Sequence, residues 1–205
     1  MTIGVTGQMA AGKNAVAALL ETRGWKTIDA DTVTHDVIET AAADITALFR
    51  DDAAARGISL TNHDGTINRR AVGKLVFQNP ALLAKQEALV YPEIIAHISA
   101  FCRAHEAVGA VINATVLYKT PQLLERCTAV LFVRAPFLVR LRRARRRDHM
   151  PYRDIIARFW SQRRLKEKYR AAGARVIIVQ NGGSRRALEQ EVARAYARIM
   201  QLATL

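Results

Sequence analysis

The chain has 205 residues, half of them apolar, and 31 basic against 18 acidic side chains give it a net charge of +13. That length suits one domain with a substantial core, and no apolar run approaches the ~18 residues of a membrane-spanning helix. Two cysteines, Cys102 and Cys127, are too few for a disulfide framework or a metal site and are expected as buried packing residues. The first strand starts too early to leave room for a secretory signal, so a cytoplasmic protein is expected.

In chain order, a short apolar strand at 3–6 leads through a glycine-bearing loop into the helical pattern Val16-Ala17-Ala18-Leu19-Leu20. A second strand is expected at 24–29, with a helix from near Asp31. A polar turn at Asn62-His63-Asp64-Gly65 then precedes helices from Arg69 to about His105, interrupted at Pro80 and Pro92. The runs 108–112, 129–133 and 176–179 are continuously apolar, the pattern of strands buried on both faces. Between the last two, the pattern predicts a helix from Pro136 to about Arg147, a break at 148–151 and a second helix to about Tyr169. A closing helix covers 184–202. Strands alternating with helices imply a parallel, doubly wound sheet that binds ligands at the carboxyl ends of its strands.

The first strand-to-helix turn reads Gly7-Gln8-Met9-Ala10-Ala11-Gly12-Lys13-Asn14, a phosphate-binding loop with its last letter changed. Two glycines let the backbone turn tightly and aim N–H groups at the β- and γ-phosphates of a nucleoside triphosphate. The start of the following helix adds its positive end, and Lys13 adds a mobile charge. The eighth residue is ordinarily Ser or Thr, whose hydroxyl ligates Mg²⁺; here Asn14 offers an amide oxygen, also a hard neutral ligand. ATP is the expected nucleotide, and Mg²⁺ the expected ion.

The positive charge is concentrated. Between Arg134 and Arg175 stand 15 of the 31 basic residues and only three of the 18 acidic ones, while the rest of the chain is nearly balanced. Two arginine-rich helices hinged at a proline between two strands fit a lid that closes over phosphates and excludes water. A solvated helix surface and a nucleic-acid face are the competing explanations of the same charge. The aromatic residues that single-strand platforms interleave with their charges are missing, which disfavours nucleic acid.

Asp29-Ala30-Asp31 closes the second strand. In an extended chain, residues two apart face the same side, so both carboxylates are expected over the cleft. One would accept the proton of an attacking hydroxyl while the other helps hold Mg²⁺ or the acceptor. Alternatively, Asp31 is the N-cap of the next helix.

With these residues in place, the chain resembles the dephospho-coenzyme A kinase family. The matches are Ile3-Gly4-Val5-Thr6-Gly7 with the phosphate loop, Ile28-Asp29-Ala30-Asp31 followed by His35, and Asp64-Gly65-Thr66-Ile67-Asn68-Arg69 before Val76-Phe77. Leu117-Tyr118, Arg143-x3-Arg147-Asp148, Gln162 with Lys168, and Asn181-Gly182 continue the series in the family's order. The resemblance implies ATP-dependent phosphorylation of the 3′-hydroxyl of dephospho-coenzyme A. It implies Asp31, Lys13, Arg143 and Arg147 as catalytic residues. ATP would be held by Gly7, Met9, Ala10, Ala11, Gly12, Lys13, Asn14, Asn181 and Gly182. Asp29, Asp31, His35, Arg69, Leu117 and Tyr118 would bind the acceptor. Several positions depart from the family pattern: Asn14 itself, Asn113-Ala114-Thr115 where Asp-x-Pro is frequent, and Tyr91-Pro92 where His-Pro is usual. About three extra residues also separate Lys168 from Asn181, and Ala174-Arg175 stands where Ala-Asp is usual.

The expected fold is therefore an α/β phosphate-loop kinase: a parallel five-stranded sheet flanked by helices, with a helical lid and a helical acceptor-binding region. As a single kinase domain it would place the core at about 1–50, 106–135 and 174–205, the acceptor helices at 51–105 and the basic lid at 136–173. Small-molecule substrates are the expected partners, a membrane is not, and homo-oligomerisation stays open. Another nucleotide or nucleoside kinase, and a non-catalytic nucleotide sensor, are the alternatives.

Overall fold

A computed structural model describes residues 1–203. In chain order the elements are β1 (Thr2–Gly7), α1 (Lys13–Glu21), β2 (Lys26–Asp29), α2 (Ala30–Thr40), α3 (Ala42–Leu48), α4 (Arg50–Ala54), α5 (Arg69–Phe77), α6 (Pro80–Ala104) and β3 (Ala110–Asn113). There follow α7 (Pro121–Glu125), β4 (Cys127–Arg134), α8 (Phe137–Asp148), α9 (Tyr152–Ser161), α10 (Leu165–Ala171), β5 (Val176–Gln180) and α11 (Arg185–Ala203). The five strands form one sheet in the order β2-β3-β1-β4-β5, every pairing parallel. The chain divides into two compact units: 1–30 with 98–205, which holds the sheet, and 31–97, which is the crossover from β2 to β3.

The sheet-bearing unit is built as the apolar runs require. Ile3 and Val5 of β1, Val111 of β3, Leu131 and Val133 of β4, and Ile177 and Val179 of β5 pack with Val16 and Leu20 of α1 and with Leu188, Val192, Ala195 and Ile199 of α11. Burying one such side chain contributes about 1.5–3 kcal/mol, so this layer supplies much of the driving force. β5 departs from the two-faced burial predicted for it: it alternates, with Ile177 and Val179 inward and Ile178 36% exposed. As the edge strand it has one neighbour, and α11 covers only one of its faces.

Two helical expectations are corrected. Pro92 does not interrupt α6, which runs from Pro80 to Ala104. An internal proline costs a helix about 3 kcal/mol, but Val90, Ile94, Ile98 and Cys102 recur every fourth residue and are all buried, so tertiary packing overrides the local penalty. The second helix of the basic segment is also not continuous: it ends at Ser161 and resumes at Leu165. The break, as expected, leaves α8 at Asp148, where His149 takes a left-handed conformation (φ 52°), and Pro151 caps α9. The cysteines are packing residues: Cys102 is buried, and desolvation pushes the Cys127 thiol up to about 12.

Tyr169 of α10 is fully buried, and its hydroxyl accepts from Leu117 N (2.9 Å) and donates to Thr115 O (3.1 Å), tying α10 to the loop after β3. Burial raises the pKa of this phenol. Tyr169→Phe should destabilise the protein by about 1–3 kcal/mol, because the buried Leu117 N–H loses its acceptor; urea denaturation followed by circular dichroism measures it.

In the unit 31–97, the loop between α4 and α5 folds into a tight turn, with Asn62 N donating to Thr66 O at 2.8 Å. Thr66 donates to Asp64 Oδ1 through both N (3.0 Å) and Oγ1 (2.6 Å), which lowers the Asp64 pKa, and Thr61 pairs antiparallel with Ile67. The Asp64-Gly65-Thr66 run is thus committed to shaping the turn that leads into α5.

Candidate active site

The carboxyl ends of the strands gather the polar residues of the sheet-bearing unit. β1 runs into the phosphate loop, flanked by β3 and β4, which is the switch point where doubly wound sheets bind ligands. Both loop glycines are required by geometry. A Cβ on Gly7 would lie 2.6 Å from Val133 O; Gly12 has φ 95° and its missing Cβ position is taken by the Asn181 amide. Gly12 also caps α1 without a side-chain acceptor, so Lys13 and Asn14 open the helix with its N–H groups directed at the loop. Met9, Ala10 and Ala11 complete the loop, Ala10 in the left-handed region at φ 60°.

Asn181 and Arg143 latch this loop. Asn181 Nδ2 donates to Ala11 O at 2.8 Å, and Arg143 Nη1 donates to Asn181 O at 3.0 Å. Gly182, beside it, sits against Pro136, whose Cδ would be 2.6 Å from any Cβ there. Asn181→Ala should cost about 1–3 kcal/mol of stability and weaken ATP binding, since Ala11 O loses its buried donor; calorimetry of ATP binding alongside thermal unfolding separates the two effects.

Most of the basic excess is solvated surface, but Arg140 and Arg143 turn inward. Arg140 is 5% exposed, stacks its guanidinium on Phe159 at 3.9 Å, and donates from Nε to Met9 O (2.9 Å) and from Nη1 to Gln8 Oε1 (2.8 Å). Burial lowers its pKa, yet an arginine stays charged at neutral pH. It therefore sets a fixed positive charge against the loop. Gln162 completes the clamp: its Oε1 accepts from Met9 N at 2.6 Å and its carbonyl accepts from Gln8 Nε2 at 3.0 Å. In the break between α9 and α10 that carbonyl also accepts from Leu165 N at 3.1 Å. Met9, Ala10 and Leu141 also pack on Ala144, Ile155 and Phe159, so the loop and the helices α8 and α9 share a small apolar core. Arg147 is placed differently: it is 65% exposed and forms a two-point ion pair with Asp148, at 2.6 and 3.0 Å.

A second cluster stands at the ends of β2 and β3. Asp29 and Asn113 are direct cross-strand partners. Asn113 Nδ2 donates to Asp29 Oδ2 (3.1 Å) and to Asn14 Oδ1 (3.0 Å). Leu117 and Tyr118 follow β3. Leu117 is buried with its side chain toward Gly4 and Val130; Tyr118 is half-buried, edge-on to Tyr169 with centroids 5.4 Å apart, and its hydroxyl accepts from Lys168 Nζ at 3.4 Å.

These features match known proteins. The family model described as dephospho-CoA kinase covers residues 1–186. The chain belongs to that family. It is 35% identical to the dephospho-CoA kinase of Treponema denticola over 195 residues, spanning 93% of this chain and 86% of the relative. It is 34% identical to that of Treponema pallidum over 193 residues, 93% and 91% of the two chains. The crystal structure of TT1252 from Thermus thermophilus superposes with a TM-score of 0.80 at 28% identity over 97% of both chains. Dephospho-CoA kinase from Campylobacter jejuni shares the fold, at a TM-score of 0.60, 24% identity and 97% and 96% coverage.

In this kinase the strand conformation of β2 ends at Asp29 and α2 begins at Ala30, so the two-residue periodicity argued for Asp29 and Asp31 does not extend to Asp31. Asp31 lies instead in the first turn of α2, on the same face as His35 and Glu39 by four-residue spacing. Arg69, the first residue of α5, pairs with Glu39 at 3.1 Å. Asp31, His35 and Arg69 are all exposed.

Sequence reading assigned no role to Gln8 or Arg140, and treated Gln162 and Asn113 only as points of family comparison. The available signal for Arg140 was its spacing: three residues before Arg143 and four before Ala144, on the face of α8 that is buried.

Proposed function

We propose that this protein transfers the γ-phosphate of ATP to the 3′-hydroxyl of dephospho-CoA, giving CoA and ADP. What carries the reading is the phosphate loop of a family member held in a tight turn: Gly12 at φ 95° before α1, latched by Asn181 and Arg143 and backed by Arg140. Such a loop presents N–H groups and a helix start to a triphosphate.

In this reading the hydroxyl oxygen forms a bond to the γ-phosphorus, the bond to the β,γ-bridging oxygen breaks, and the hydroxyl proton passes to Asp31. Lys13 and Arg143 offset charge on the transferring group, and Arg147 joins them on leaving Asp148 as the lid closes. Catalysis is then positioning and charge stabilisation. Asn181 and Gly182 lie beside the nucleotide. Asp29, His35, Arg69, Leu117 and Tyr118 serve the acceptor, with 51–105 as its helical region and 136–173 as the lid of a single kinase domain.

Mg²⁺ fits the residues present. Asn14 Oδ1 and the Asp29 carboxylate are hard oxygen donors in one cluster, and the buried Asn113 Oδ1 beside them has no protein partner. Among the described residues no group of three or more His, Cys, Asp or Glu side chains makes a metal cage, in keeping with an ion that keeps several waters and binds chiefly to substrate phosphates. Asn14 and Asp29 would hold it, directly or through water. When bound it would neutralise charge on the β- and γ-oxygens. The reading extends to a cytoplasmic enzyme on dissolved substrates; no described helix is long and apolar enough to cross a membrane.

The test is ADP release from Mg²⁺-ATP with and without dephospho-CoA, beside a panel of nucleosides and nucleotides. Release that depends on dephospho-CoA, with CoA as product, is the expected result. Release with a different acceptor alone would overturn the acceptor assignment, and none with any acceptor would overturn the kinase.

A further inference from the structure

The hydrogen-bond directions in the cluster at the ends of β2 and β3 are determined by chemistry. A carboxylate only accepts, so Asp29 forces Asn113 to present its NH₂ group. Both amide hydrogens of Asn113 are then used, one on Asp29 Oδ2 at 3.1 Å and one on Asn14 Oδ1 at 3.0 Å. Asn14 must in turn present its oxygen to Asn113. Asn113 is 2% exposed, while Asn14 is exposed. The order therefore runs from a buried donor outward to a surface acceptor on the second residue of α1.

We infer that Asn113 is a positioning residue for the metal-side oxygens of the phosphate loop, and that Asn14 and Asn113 work as a matched pair in which each amide is required by the other. The inference rests on the reading of the loop as a Mg²⁺-nucleotide site. A hydroxyl at position 14 can donate or accept and would suit either an acceptor or a donor at position 113. Asn14 can also do either, but only by turning its amide: against an acceptor at 113 it would present its NH₂ group and withdraw the oxygen proposed for Mg²⁺. A carboxylate at 113 would face the Asp29 carboxylate with no hydrogen between them, and would draw the NH₂ group of Asn14, not its Oδ1, toward position 113. The remaining atom of Asn113, Oδ1, is buried without a protein partner. Buried acceptors are almost always satisfied, and a metal-bound water or a ligand hydrogen would satisfy this one. Asn113 thus fixes where the Asn14 oxygen and the Asp29 carboxylate stand before Mg²⁺-ATP arrives.

The experiment is a double-mutant cycle on Mg²⁺-ATP binding, read by calorimetry with Mg²⁺ and again with EDTA, for the wild type, Asn113→Asp, Asn14→Ser and the double variant. Asn113→Asp should weaken Mg²⁺-ATP binding by about tenfold when made in the wild type and by less than about threefold when made in the Asn14→Ser variant, within the coupling seen between touching residues. The loss should be confined to titrations containing Mg²⁺. Equal losses in both backgrounds would overturn the pairing, and equal losses with and without Mg²⁺ would reduce Asn113 to a structural role. If Asn113→Asp does not fold, Asn113→Ala in the two backgrounds gives the same comparison, since it deprives Asn14 of its donor while leaving no charge. Acceptor phosphorylation plays no part in these titrations. A wild type that binds Mg²⁺-ATP with this coupling but does not phosphorylate dephospho-CoA would overturn the proposed acceptor and uphold the pair.

Discussion

Lys13→Ala should lower kcat by about a hundred- to a thousandfold, the range seen when one preorganised donor to transition-state charge is removed. Lys13 is the first residue of α1, directly after the left-handed Gly12, and is half-buried. The loop around it is held by other groups: Asn181 on Ala11 O, Arg140 on Met9 O and Gln162 on Met9 N. Loss of Lys13 therefore leaves the loop's shape in place and removes a mobile charge. Steady-state ADP formation, with thermal unfolding as the control for folding, checks this. Near-normal turnover in a folded variant would show that the loop's N–H groups and arginines suffice, and would remove Lys13 from the mechanism.

Asp31→Asn should lower kcat by about a hundred- to ten-thousandfold, the usual contribution of a positioned general base, with ATP affinity changed by no more than a few-fold. The structural cost is separable. Asp31 lies in the first turn of α2, where a carboxylate stabilises the positive helix end by about 0.3–1 kcal/mol, so a modest loss of stability accompanies the loss of rate. Single-turnover phosphorylation and calorimetric ATP binding on the same preparation distinguish them. Equal losses of rate and of ATP affinity would argue against a base and for a role in nucleotide binding.

Local pattern carried the architecture. The phosphate loop, the five parallel strands and the helix break at 148–151 are all written in short-range features: glycine spacing, continuous apolar runs, and a proline after a polar stretch. These report on backbone conformation and on burial, which neighbouring residues largely determine. They failed where a distant partner decided the outcome. β5 reads as doubly buried but lies at the sheet edge, and Pro92 reads as a helix stop but sits in a helix with one buried face, formed by Val90, Ile94, Ile98 and Cys102.

The active-site chemistry divides along the same line. Composition identified a block of 15 basic residues but could not say which would turn inward; the packing of α8 on Phe159 and the loop selects Arg140 and Arg143, and Asp148 holds Arg147 outward. Asn14 and Asn113 are 99 residues apart, and as single letters each is merely an unusual residue in its motif. Parallel pairing of β2 with β3 sets Asn113 beside Asp29, and the turn into α1 brings Asn14 to the same amide. The sequence by itself determined the nucleotide loop and the strand–helix alternation, because both are local. Only the tertiary structure decided which polar groups meet, because hydrogen-bond direction depends on partners that the chain brings together by folding.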